Sequence, residues 1–228
     1  GAADMILDLS MAVTGKFRGG LAKVSILASA LMGTISGSTV ANVSACGTIT
    51  IPQMKKSNYS PIFSAGVVTA AASGGQIMPP VMGAAAFIMA EILGISYGTV
   101  CIAAALPAIL YYISIFWLVD LEAQKTNLKG LAPDEVVSIR YVLKTKGHLL
   151  IPIIVLLFIL IGLKMSPDMA ALLATVTIIP ISWIRKETRI DYKKLLTALK
   201  QTGDGLIVTT AACAVAGIII GVLGLTGL

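Results

Sequence analysis

Two stretches of this chain are too long for one ordinary membrane span and too apolar to face water. Residues 24–54 and 57–90 carry no Asp, Glu, Lys or Arg, and each has a polar or Gly/Pro-rich run near its middle. Four more uncharged stretches follow, at residues 92–119, 148–163, 169–184 and 205–228. A helix crossing a bilayer needs about 20 apolar residues, with a range of about 17–25, and several of these stretches reach that length. Charged residues make up 12% of the 228, and mean hydropathy is +0.92. A soluble domain carries about 25% charged residues, so the polar surface here cannot cover a water-facing globule. The expected class is an all-α membrane protein, a polytopic helical bundle.

The placement of charge orders the spans. Lys16, Arg18 and Lys23 precede the first overlong stretch, and Lys55 and Lys56 follow it. Basic residues collect on the cytoplasmic side of membrane spans, so both ends of residues 20–55 face that side. Each arm has about 15 residues and reaches about 22 Å, short of a hydrocarbon core about 30 Å thick. A re-entrant hairpin is expected, turning back through Gly33-Thr34-Ile35-Ser36-Gly37-Ser38. Residues 59–93 are interrupted at Ser73-Gly74-Gly75-Gln76-Ile77-Met78-Pro79-Pro80. Proline lacks the N–H a helix needs and clashes with the preceding turn, so one broken crossing is expected, made of half-helices at 59–73 and 80–93.

A return span at 98–119 follows, then a charged connector at 120–147. Within the connector, Pro133-Asp134-Glu135 marks the start of an amphipathic surface helix. Spans at 148–163 and 168–184, a surface helix at 191–200 and a last span at 205–228 complete the order. This arrangement puts every one of the 17 Lys and Arg residues except Lys164 on one side. A second hairpin at 59–93 would instead flip every later basic loop outward. The net charge of +6 therefore reads as membrane topology, and no nucleic-acid partner is expected.

Irregular backbone at membrane depth is tolerated only where it lines a cavity or is buried in protein. In secondary transporters, discontinuous helices supply carbonyls to cations and helix N-termini to anions. The hydroxyls of Ser36, Ser38 and Thr39 and the amides of Asn42 and Gln76 are neutral oxygen ligands suited to a hard monovalent cation. Glu91 is read as interfacial, and the aspartates fall near predicted helix ends. The scarcity of carboxylates at membrane depth favours sodium over proton coupling. Cys46, Cys101 and Cys213 show no metal-ligand spacing and read as small buried hydrophobes. No catalytic constellation is present, so the chain is not expected to be an enzyme; a channel or a membrane-embedded enzyme are the lesser alternatives. A first residue other than Met and an end within an apolar run suggest an internal fragment.

The run Met32-Gly33-Thr34-Ile35-Ser36-Gly37-Ser38-Thr39-Val40-Ala41-Asn42-Val43, with Gly47 and Pro52-Gln53-Met54, resembles the large membrane subunit of tripartite ATP-independent periplasmic (TRAP) transporters. The run from Ser73 to Pro80, with Met82-Gly83-Ala84-Ala85-Ala86-Phe87, strengthens the likeness. The chain is most similar to the fused 4TM/12TM form that works with TAXI-type binding proteins. The resemblance implies an elevator-type fold of the ion-transporter superfamily built from inverted repeats. On that reading, residues 1–119 are the first repeat, 120–147 a cytoplasmic connector and 148–228 the start of the second repeat. Helices at 2–13, 133–144 and 191–200 would be arms linking the moving domain to the scaffold.

The resemblance also implies sodium-driven uptake of organic acids, C4-dicarboxylate-like, with Na+ as coupling ion and no other cofactor. Its implied partners are a periplasmic or extracytoplasmic binding protein and a small membrane subunit, fused in the complete chain. The implied location is the bacterial or archaeal plasma (inner) membrane, with multiple passes. By motif position, Ser36, Gly37, Ser38, Thr39 and Asn42 form the hairpin tip, and Gly74, Gly75, Gln76, Met78 and Pro79 the broken helix. Ser38, Asn42 and Gly75 are the implied sodium ligands. A sodium/dicarboxylate symporter of the same superfamily that needs no binding protein is the alternative.

Overall fold

The computed structural model describes residues 2–128, 130–131, 136–163, 165–184 and 189–226, and every regular element among them is helical. The chain divides into two units, Gly1–Ile181 and Ser182–Leu228.

In the first unit, α1 (Ala2–Thr14) packs along α2 (Gly20–Ser36). Helix α2 ends at Gly37, which takes the left-handed conformation (φ 57°) and donates its N–H to the Gly33 carbonyl at 3.0 Å. Glycine adopts that conformation without a Cβ penalty and commonly caps helices there. The chain then returns as α3 (Thr39–Asn42), a π turn (Val43–Gly47) and α4 (Thr48–Lys56). The two arms are tied by buried polar contacts. The Ser25 and Thr50 hydroxyls lie 3.1 Å apart, and Asn42 Nδ2 donates to the Ser29 carbonyl at 2.8 Å.

The turn of this hairpin is narrower than the six residues 33–38 expected from sequence. Gly33 and Thr34 remain helical, with the Thr34 hydroxyl bonded to the Leu31 carbonyl at 2.6 Å. Only Gly37 and Ser38 leave the helix, because Gly37 is where a positive φ costs nothing. Thr39 and Asn42 consequently sit on the first turn of the returning arm.

Helix α5 (Pro61–Gly74) starts with the Ser60 hydroxyl accepting the Phe63 N–H at 3.1 Å and Pro61 in the first turn, a sequence-local start signal. After α5 the chain is irregular over residues 75–83 before α6 (Ala84–Leu93) begins. The expected second half-helix started at residue 80. Pro79 and Pro80 supply no N–H, Met82 has φ 55°, and the Gly83 N–H turns back to the Gln76 carbonyl at 2.8 Å. A closed loop therefore precedes the helix, and helical bonding starts only at Ala84.

Helix α7 (Tyr97–Lys125), capped by Ser96, runs beyond the expected end at residue 119. α8 (Ile139–Lys146), a 3-10 turn (Gly147–Leu150), α9 (Ile151–Leu157) and a π turn (Phe158–Gly162) follow one another directly. The expected surface helix is thus not separate from the next span. Residues 133–135, its predicted start, lie outside the described residues. α8 packs on α1, with Lys146 and Asp8 2.5 Å apart and Val142 buried beside Met5 and Ile6. α10 (Pro167–Ser182) closes this part. By length and apolarity, Tyr97–Lys125 and Ile139–Gly162 can each cross a membrane.

The second unit contains α11 (Tyr192–Thr226), one 35-residue helix. The sequence reading has two helices here, at 191–200 and 205–228. Gly203 and Gly205 cost about 1 kcal/mol each relative to alanine. The long helix-forming segments on both sides outweigh that cost, and no proline enforces a stop.

At the base of the hairpin, Lys23 on α2 is 4% exposed and pairs with Asp120 on α7. Its ammonium lies 4.7 Å from the centre of the Phe116 ring. Arg18 reaches the same carboxylate at 3.5 Å from a half-exposed position. Removing one partner of a buried pair costs far more than removing an exposed one. Lys23→Met is therefore expected to destabilise the complete permease by more than about 1 kcal/mol, and Arg18→Met by less than that. Thermal unfolding in detergent checks both, and the exchange Lys23→Asp with Asp120→Lys should recover part of the loss.

Candidate functional site

Four helix ends meet where the hairpin turn lies against the break. The C-terminal ends of α2 and α5 are side by side. A Cβ on Gly75 would stand 2.8 Å from the Gly33 Cα, and one on Gly33 would overlap the Gly75 Cα. The N-terminal side is matched in the same way. A Cβ on Gly37 would overlap the Met82 carbonyl, and one on Gly83 would stand 3.5 Å from the Gly37 carbonyl oxygen. The two interruptions expected from sequence are thus in backbone contact.

Asn42 reaches into this junction from the hairpin's second arm. It is fully buried, and a Cβ on Gly75 would stand 3.2 Å from its Nδ2. Its Oδ1 and the Ser29 hydroxyl are buried without a hydrogen-bond partner. A buried carbonyl oxygen left unpaired is costly, so Asn42 Oδ1 is available to a ligand. Ser38 is exposed and caps the returning arm, its hydroxyl accepting the Ala41 N–H at 3.4 Å. The Ser36 hydroxyl, also exposed, accepts the Ser38 N–H at 3.4 Å. Thr39 is half-buried one residue further on.

On the break, Gly74 is the last residue of α5 and Gly75 the first beyond it, both buried. The Gln76 side chain is exposed, while its carbonyl closes the loop to Gly83. Met78 is half-buried against the core between α2, α5 and α7, and Pro79 is half-buried beside it. Gly37 and Asn42 therefore meet the break from the hairpin, and Gly75 meets the hairpin from the break, with Ser36, Ser38 and Thr39 next to them in the turn and Gly74 and Gln76 next to them in the break. Met78 belongs more to packing than to the junction. Glu91 is exposed at the far end of α6, beside an open cavity that Ser96 and Thr99 also line.

Sequence reasoning missed the part played by α7. The Tyr111 and Tyr112 hydroxyls donate to the Ala70 and Ala71 carbonyls at 2.8 and 2.9 Å. Cys101 Sγ donates to the Pro80 carbonyl at 3.5 Å, and the Tyr97 hydroxyl to the Val81 carbonyl. Gly74 makes room for the tyrosine pair, since a Cβ there would stand 2.5 Å from Tyr111 Cε1. The available signal was the tyrosines themselves, because a hydroxyl inside an apolar span needs a partner. Among the described residues, no group of three or more His, Cys, Asp and Glu could hold a metal ion.

The whole chain, residues 1–228, matches the family model described as "Tripartite ATP-independent periplasmic transporter, DctM component". The chain is 31% identical over 179 residues to the C4-dicarboxylate TRAP transporter large permease protein DctM of Pseudomonas aeruginosa, covering 77% of this chain and 41% of that protein. It is 38% identical over 98 residues to the 2,3-diketo-L-gulonate TRAP transporter large permease protein YiaN of Escherichia coli, covering 43% and 22%. It is 28% identical over 190 residues to the isethionate TRAP transporter permease protein DctMQ of Oleidesulfovibrio alaskensis, covering 82% and 29%. The chain spans less than half the length of each of these relatives.

The backbone contact across the junction makes Gly33→Ala and Gly75→Ala informative. Neither neighbour is a flexible side chain that can swing away, so each substitution is expected to cost about 1–3 kcal/mol by overpacking. Because both act through one contact, the double variant should cost less than the sum. Thermal unfolding of the three variants tests this, and simple additivity would show that the two glycines do not share a contact.

Proposed function

The chain belongs to the DctM-component family of tripartite ATP-independent periplasmic transporters, and on that premise we propose that it forms the first inverted repeat, and the start of the second, of a sodium-coupled organic-acid carrier. The observation that carries this reading is the pairing of like helix ends. Helix ends hold about half an elementary charge, negative at the C-terminus and positive at the N-terminus. The C-terminal ends of α2 and α5 are in contact at Gly33 and Gly75, and the N-terminal ends of α3 and α6 approach at Gly37, Met82 and Gly83. Like poles held together repel, and an ion of opposite sign relieves the repulsion. The C-terminal pair suits a cation and the N-terminal pair a carboxylate.

Asn42 Oδ1, the Ser38 hydroxyl and the Gly75 carbonyl, whose one hydrogen bond, from the Met78 N–H, is long at 3.4 Å, are neutral oxygens of the kind Na+ accepts. The lack of buried carboxylates among the junction residues supports sodium rather than proton coupling. The three relatives described above are named for C4-dicarboxylate, 2,3-diketo-L-gulonate and isethionate. All three names denote organic anions, which fits an anionic group at the N-terminal pair; the substrate we propose is C4-dicarboxylate-like. An extracytoplasmic binding protein, of TAXI type, delivers the substrate. The small membrane subunit is fused to the permease. The carrier lies in the bacterial inner membrane with its basic loops cytoplasmic. The hairpin and broken helix move as an elevator, with α1, α8 and the start of α11 as arms.

Uptake into proteoliposomes by the complete permease tests this proposal. Transport should require both an inward sodium gradient and the binding protein. Uptake that needs sodium but no binding protein would identify a stand-alone symporter instead. Asn42→Ala and Ser38→Ala should each raise half-saturating sodium about tenfold, equivalent to about 1.4 kcal/mol. Unchanged sodium affinity in both variants would remove these residues from the ligand set.

A further inference from the structure

Helix α7 lies along the broken helix and bonds it on both sides of the break. After Gly74 the regular i to i+4 pattern stops, and the Gly75 N–H bonds the carbonyls of Ala72 and Ser73. The Ala71 carbonyl thereby loses its helical donor, and the Tyr112 hydroxyl takes that place at 2.9 Å. On the far side, the Tyr97 hydroxyl takes the Val81 carbonyl, and Cys101 Sγ takes that of Pro80. Both tyrosines are buried, Tyr112 at 9% exposure and Tyr97 at 6%. Within the loop, the carbonyls of Ser73, Gly74, Gly75 and Gln76 accept N–H groups of residues 76, 77, 78 and 83. Among the described residues, this leaves the carbonyls of Ile77, Met78, Pro79 and Met82 without a hydrogen bond.

We infer that Tyr112 and Tyr97 are positioning residues for the cation site: by occupying the Ala71 carbonyl just before the break and the Val81 carbonyl within it, they hold the loop that carries the Gly75 carbonyl in register and decide which other loop oxygens stay free. The inference rests on the cation reading proposed above. One alternative is weaker. The tyrosines could be packing residues only, but packing does not require both hydroxyls to end on carbonyls of the same break, one just before it and one within it. Tyr111 provides an internal contrast. It donates to the Ala70 carbonyl, one residue further inside α5, where the Gly74 N–H is the regular helical donor. Its hydroxyl therefore does not fill an orphan position.

The test removes hydroxyls and keeps rings. In the complete permease, Tyr112→Phe and Tyr97→Phe should each raise half-saturating sodium about tenfold, with the substrate KM at saturating sodium changed less than about twofold. Amide hydrogen exchange over residues 75–83, measured in sodium, should be about tenfold faster in both. Tyr111→Phe should shift half-saturating sodium by less than about threefold. Exchange at the wild-type rate in both Tyr112→Phe and Tyr97→Phe would overturn the positioning role. Faster exchange with unchanged half-saturating sodium would overturn its link to the cation. A wild-type permease that needs no sodium would overturn the coupling proposal instead, and the exchange measurement would still decide whether the tyrosines hold the break.

Discussion

A peptide group released from a helix inside an apolar environment must find another partner, and most of what distinguishes this chain follows from meeting that demand in two places. At the hairpin turn the demand is small. Two residues leave the helix, and the Gly37 N–H returns to the Gly33 carbonyl while Ser38 caps the next helix with its own hydroxyl. At the break nine residues are irregular, and local bonds cannot cover them all. The Gln76 carbonyl is met from within the loop, by Gly83, but the Ala71, Pro80 and Val81 carbonyls are met from outside, by α7. One interruption is self-contained and the other needs a neighbouring helix.

Glycine sets how closely the interruptions approach. Gly33 against Gly75 and Gly37 against Met82 are contacts in which a methyl group would have no room. Their effect is electrostatic as well as steric. Two side chains of ordinary size between α2 and α5 would separate the helix ends by several ångströms and let solvent or lipid screen them. Backbone contact keeps like poles adjacent, and the buried Asn42 amide stands at the same place. The charged contacts, by contrast, lie away from the junction: Lys23 with Asp120 near the end of α7, and Asp8 with Lys146 where α1 meets α8.

The existence of both interruptions was legible because their causes are local. Glycine permits a positive φ and proline removes an N–H whatever the surroundings. The limits of the interruptions were not legible, because contacts between elements set them. Gly33 looks as able to turn as Gly37, yet α2 continues through it. Pro80 looks like a helix start, yet the Gly83 N–H returns to Gln76 and delays the helix to Ala84. The Gly203-Asp204-Gly205 run reads as a break by composition alone, but it lacks a proline and α11 passes through it. Asn42 was singled out by its residue type, whereas Tyr97, Tyr112 and the Lys23–Asp120 pair depend on side chains far apart in the chain. No local pattern announces such partners.

The contacts also constrain which elements can move together. Shifting the hairpin alone would separate Gly33 from Gly75 and expose the buried Asn42 amide. Shifting the broken helix alone would strip the Ala71 and Val81 carbonyls of the Tyr112 and Tyr97 hydroxyls. The second shift leaves buried carbonyls unpaired, at a cost of about 1–3 kcal/mol each. The Lys23–Asp120 pair adds a third tie between α2 and α7 at the other end of the hairpin. A displacement that carries α2 through α7 as one body breaks none of these bonds. The same bonds that satisfy the interrupted backbone therefore resist any local opening of the junction.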